Sequence, residues 1–112
     1  MTDATYPGMD GAAPAALPAE LLAARASIDE LDGDLIDLLS SRFALTRRIG
    51  QLKADLGLPA SDPARQAVQI ERLRALAVVA DVNPDLAADL LNLIMAEVVR
   101  QHQQVRRPGL TG

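Results

Sequence analysis

The sequence predicts an all-α protein, and three observations carry that prediction. Aromatic residues make up 2% of the 112 positions, while apolar residues make up 49%, nearly all of them Ala, Leu, Val and Ile. Ala and Leu are strong helix formers, and the aromatic residues that favour strands are almost missing. Beyond Pro18 there is no proline until Pro59, and Leu22, Ile28, Leu31, Leu35, Leu38, Leu39, Ile49 and Leu52 recur mostly three or four apart. Two Asx-Pro steps, Asp62-Pro63 and Asn83-Pro84, then read as helix restarts.

Residues 1–17 hold Pro and Gly with little pattern and are expected to be a disordered leader. The helical domain is expected over residues 18–106. Its first helix runs from about Pro18 to Leu56 and tolerates Gly33 and Gly50, each a penalty of about 1 kcal/mol relative to Ala. The segment "GLPASDP" ends it, with Gly57 as the C-terminal signal and Pro59 unable to continue. Asp62 caps a second helix that runs to about Val79, and Asn83 caps a third that runs to about Arg106. On the third helix Leu86, Leu90, Ile94 and Val98 form one ridge. Residues 107–112 should fray.

A first helix of about 38 residues is roughly 57 Å long at 1.5 Å per residue. Two shorter helices of the same chain cannot cover its apolar stripe. The expected architecture is therefore a three-helix protomer with one very long first helix, in an intertwined homodimeric helical bundle. No internal repeat or second domain is evident.

Composition excludes several classes of function. With 11 Lys and Arg against 15 Asp and Glu, the formal net charge is −4. Nucleic acid and anionic membrane surfaces both call for a net basic face, so neither is expected as a partner. There is no cysteine and a single histidine, so disulfides, thiolate nucleophiles and multi-histidine metal sites are ruled out. No apolar run approaches the roughly 20 residues of a membrane span. The N-terminus lacks the basic-then-apolar order of a signal peptide, and a soluble cytoplasmic protein is the expectation.

Against that acidic background, Arg42, Arg47, Arg48 and Lys53 lie on the first helix, and Arg65 follows the break. On an ideal wheel Arg42 and Lys53 are about 20° apart and roughly 16 Å apart along the axis, so they share a face. Arg25 is about 100° off that face and reaches such a pocket most easily from a partner's helix. Arg65 falls in the first turn of the second helix, where the helix start itself favours anions. Together these groups suit a small ligand with more than one carboxylate. Taken singly, each reads more readily as a surface ion-pair partner than as a ligand contact, and Arg47 and Arg48 read as solvated-face residues.

The stretch "RASIDELDGDLIDLLSSRFALTRRIGQLKADLGLPASDPARQ", followed by "ERLRALA", resembles the all-helical AroQ-type chorismate mutases. Their pattern R-x-x-I-D-x-L-D-x-x-L-x-x-L-L-x-x-R, then I/V-G-x-x-K, then D-x-x-R-E, runs without a gap, and the resemblance covers about residues 20–104. It implies conversion of chorismate to prephenate, on the route to phenylalanine and tyrosine, in a homodimer with two sites. It implies that Arg25 serves the partner's site and that Arg42, Lys53 and Arg65 serve the home site. Asp62 matches the acidic residue near the ring hydroxyl. The implied reaction is a Claisen rearrangement, which calls for no cofactor or metal. Arginines would clamp the carboxylates, and Lys53 would donate to the ether oxygen.

Three positions depart from the family pattern. Gln66 stands where Glu is usual, Val98 where Ser is usual, and His102 where a Gln usually donates to the ether oxygen. Gln66 keeps hydrogen-bonding ability without charge, Val98 removes a carboxylate contact, and His102 offers a replacement donor or else packs against the dimer. Other readings keep the fold: an isochorismate pyruvate lyase, a 4-amino-4-deoxychorismate mutase, or a non-catalytic regulatory dimer. Some small mutases of this family are weak alone and are activated by the first shikimate-pathway enzyme. An activating complex of that kind, through the tail "VRRPGLTG", is a further candidate.

Overall fold

The computed structural model describes residues 16–106 of the chain. The leader expected over 1–17 lies outside the described residues except for its last two positions, and the tail expected over 107–112 lies outside them altogether. The described residues form three helices and no strand: α1 Ala19–Asp55, α2 Pro63–Val79 and α3 Pro84–Arg106. No helix among them is long and apolar enough to cross a membrane.

Each boundary has a local chemical cause. At the end of α1 the Leu58 amide donates to the Lys53 carbonyl at 2.8 Å and the Gly57 amide to the Ala54 carbonyl at 3.2 Å. This pair of bonds needs a left-handed residue between them, and Gly57 has φ 70°. At the start of α2 the Asp62 carboxylate accepts from the Arg65 amide at 3.1 Å, with proline in the first turn. The same closure recurs after α2, where the Val82 amide donates to Ala77 at 2.8 Å and the Asp81 amide to Val78 at 3.2 Å. There the left-handed residue is Asp81, at φ 60°. At the start of α3 the Asn83 side-chain oxygen accepts from the Asp85 amide at 2.9 Å.

The chain divides into two compact units at Ser40–Ser41. In the first, α1 buries nothing: Leu21, Ile28, Leu31, Leu35 and Leu38 are all exposed, Leu31 at 64% and Leu38 at 68%. In the second, α2 and α3 pack together around a small core of Ala77, Ala87, Ala88 and Leu91. Alanine on both helices lets the backbones approach closely. Arg74 of α2 reaches Asp85 of α3 at 2.7 Å across this hairpin, and that contact favours the charged guanidinium. The Leu86–Leu90–Ile94–Val98 ridge is not the face that α3 buries at its start. Leu86 and Leu90 stay 60% and 43% exposed while their neighbours Ala87, Ala88 and Leu91 are buried. The alanines and Leu91 take the tight helix–helix contact, while Ile94 and Val98 further along the ridge are half-buried.

Candidate functional site

The residues singled out from the sequence, Arg25 apart, fall into separate groups within the second unit. Lys53, in the last turn of α1, donates from Nζ to the Ala60 carbonyl at 3.3 Å. Two residues further on, Asp62 holds the Arg65 amide, and the Gln66 amide donates to the Asp62 carbonyl at 3.1 Å. The α1–α2 turn thus gathers the end of one cation-bearing helix and the start of another around the 57–62 loop. Asp62 spends its Oδ1 on the cap.

Arg42 is half-buried on α1, and its carbonyl accepts from Thr46 Oγ1 at 2.8 Å. Arg25 belongs to the first unit and is exposed.

Val98 and His102 lie elsewhere, in a cleft of about 260 Å³ between α1 and α3 that is lined by Phe43, Thr46, Arg47, Gly50, Gln51, Ala54, Val98, Gln101 and His102. Arg42, Lys53, Asp62, Arg65 and Gln66 are outside this lining. The apolar part of the lining includes Phe43, Ala54 and Val98. The polar part comes from the Thr46 hydroxyl, the Gln51 and Gln101 amides, the Arg47 guanidinium and the His102 imidazole. Gln51 donates to Asp55 at 3.0 Å, and Gln101 to Glu97 at 3.0 Å. Glu97 also accepts from Arg100 Nε at 2.8 Å. The Arg100 hydrogen bond first, and Gln101 second, hold the Glu97 carboxyl at about 2, well below the usual carboxylate range.

Sequence reading missed the cleft residues Phe43, Gln51 and Gln101, and took Arg47 for a solvated side chain. Arg47 is exposed, but it also lines the cleft. A signal was available: Phe43, Arg47, Gly50 and Ala54 recur three and four apart, so they share a face of α1 distinct from that of Arg42 and Lys53.

An all-helical chain with cations spaced this way on its first two helices defines a class, and comparison with known proteins places it. The chain belongs to the family described as chorismate mutase type II, which it matches over residues 24–103. It is 40% identical over 79 residues to the T-protein of Enterobacter agglomerans, a match covering 70% of this chain and 21% of that protein. It is 27% identical over 71 residues to the chorismate mutase of Methanocaldococcus jannaschii, covering 63% of this chain and 72% of the relative. It is also 31% identical over 93 residues to the 4-amino-4-deoxychorismate mutase of Streptomyces venezuelae, covering 82% and 90% respectively. The chain spans about a fifth of the length of the T-proteins it matches.

Proposed function

We propose that this chain is a cytoplasmic chorismate mutase that works as an intertwined homodimer. The observation that carries the reading is the presence of Arg25, Arg42, Lys53 and Arg65 at the family's cation positions, inside a family match that spans residues 24–103. A scaffold that had merely kept the fold would have no need of four such cations.

The reaction is an intramolecular rearrangement in which one C–O bond breaks as one C–C bond forms. The protein's task is to hold a flexible dianion in its compact reactive conformer and to stabilise the charge that grows on the ether oxygen. Arg42 and the partner's Arg25 would clamp the carboxylates, with Arg65 at the start of α2. Lys53 and His102 would donate to the ether oxygen, with Asp62 and Gln66 at the ring hydroxyl and Val98 against the substrate.

Dimerisation is supported by what the single chain leaves uncovered. Leu21, Ile28 and Leu35 are spaced by sevens, with Ile49 fourteen further on; Leu31, Leu38, Leu45 and Leu52 are spaced by sevens too, and every one of them is exposed. That is the a/d pattern of a helix seam. Arg42 falls at an a position of the same register, which would put its guanidinium at the border with a second chain.

A second reading, 4-amino-4-deoxychorismate mutase, is favoured by the near full-length match to the Streptomyces venezuelae relative. Side-by-side assays with chorismate, isochorismate and 4-amino-4-deoxychorismate decide the matter. Prephenate from chorismate at the highest kcat/KM is the expected result. Turnover of only the amino compound, or pyruvate release from isochorismate, would displace the first reading.

A further inference from the structure

We propose that Gly57 is a positioning residue for the anion site, through the carbonyl of Ala60. The proposal rests on the functional reading above and adds to it the way Lys53 is held. Lysine has a flexible four-carbon stem, and its ammonium samples many positions unless something fixes it. Here the Lys53 ammonium is bonded to the Ala60 carbonyl, seven residues on, at 3.3 Å. That bond forms only if the chain reverses immediately after α1.

The reversal depends on Gly57. Its left-handed backbone, φ 70°, lets the Leu58 amide return to the Lys53 carbonyl while the Gly57 amide caps Ala54. Lys53 is therefore engaged twice by the turn, through its own carbonyl and through its ammonium. Only Ser61 separates Ala60 from Asp62, whose carboxylate fixes the start of α2 at Arg65. The Lys53 ammonium and the backbone at Arg65 are thus held by two loop residues with one residue between them. Nothing lies within 4 Å of a Cβ added at Gly57, so an alanine there meets no clash and acts through the backbone alone.

This separation of causes makes the test clean. Gly57→Ala strains the left-handed turn without steric conflict, whereas Gly57→Asn tolerates that conformation. Expected for Gly57→Ala is a roughly tenfold loss in kcat with a smaller change in KM, since a small misplacement of a reacting contact is costly. Gly57→Asn should restore most of the loss. Nitrogen-15 NMR of lysine ammonium groups, at low temperature and mildly acidic pH, should show a slowly exchanging Lys53 signal in the wild type and in Gly57→Asn, and not in Gly57→Ala. Unchanged kinetics and an unchanged Lys53 signal in Gly57→Ala would overturn the proposal. So would equal losses in both variants tracking reduced helix content, which would make Gly57 merely structural. If the wild type converts none of the three substrates, the functional reading fails, and the Lys53 signal alone still decides whether Gly57 positions the ammonium.

Discussion

Val98 and His102 stand one helical turn apart on α3 and line the same cleft. An apolar side chain and a hydrogen-bond donor on one ridge can serve a ligand with one apolar and one anionic end. If His102 is the donor toward the ether oxygen, His102→Ala should lower kcat roughly tenfold or more, the loss of one transition-state hydrogen bond worth about 1.5–3 kcal/mol. His102→Gln should retain most activity, because an amide also donates. Val98→Ser should lower KM by about threefold or more by adding a hydroxyl donor for a carboxylate. Steady-state kinetics on the three variants would reject the role if His102→Ala matched the wild type.

The exposed heptad residues of α1 predict that folding and association are one event. Burying a leucine is worth about 1.5–3 kcal/mol, and a two-fold seam counts each position twice. Leu31, 64% exposed in the single chain, is a sensitive probe. Leu31→Ala should weaken association by more than tenfold, and Leu31→Asp should abolish it. Sedimentation velocity and circular dichroism across a dilution series should lose dimer and helix together. A monomer that keeps its full helix content would contradict the architecture.

Helix boundaries were legible in the sequence wherever the cause was local. Asp62-Pro63 and Asn83-Pro84 carry their own cap chemistry, and Gly57 marks a left-handed turn by being glycine. Asp81 was not legible, because an aspartate does not announce φ 60°; only the closure onto Ala77 and Val78 reveals it. The cations could be picked out by type and spacing, since Arg42 and Lys53 fall on one wheel face. The α1 wall of the cleft shows in the spacing of Phe43, Arg47, Gly50 and Ala54, but the face of α3 that meets it does not, because that depends on how the helices pack. Local spacing does not contain that packing.

Asp81 predicts an easy gain in stability. A left-handed backbone is strained for a residue with a Cβ and free for glycine. Asp81→Gly should raise stability by about 0.5–1 kcal/mol, after allowing for the greater freedom of glycine in the unfolded chain. Gly57→Ala at the equivalent turn should lower it by about 1 kcal/mol. Denaturant midpoints at fixed protein concentration measure both. A decrease on Asp81→Gly would mean that the carboxylate makes a contribution larger than the strain.

Glu97 predicts a step in acid. Its carboxyl sits at about 2 when folded, against an ordinary 4.5, because Arg100 and Gln101 donate to it. A depressed carboxyl contributes stability that is complete above the ordinary value and is lost as pH falls toward about 2. Helicity of α3 should therefore decline over that window and depend less on pH in Glu97→Gln. Both partners are solvent-facing, so the step should shrink in high salt. Circular dichroism titrations of the two proteins that superimpose would show that this contact does not persist in solution.

Arg25 and Arg42 make the sharpest test of a shared site. Each is assigned to a substrate carboxylate, so Arg25→Ala and Arg42→Ala should each lose at least a hundredfold in kcat/KM, since a buried charge left unpaired is costly. If Arg25 crosses to the partner's site, a heterodimer of the two variants collects both lesions in one site and leaves the other intact. Mixing two inactive proteins should then restore activity, up to half the wild-type value per heterodimer. The exchange needs unfolding and refolding together, because the seam residues of α1 have no other cover. Native mass spectrometry of a mixture in which one variant is isotopically labelled gives the heterodimer fraction, and activity should rise in proportion to it. With heterodimer present and no activity recovered, Arg25 would belong to its own protomer's site or to none.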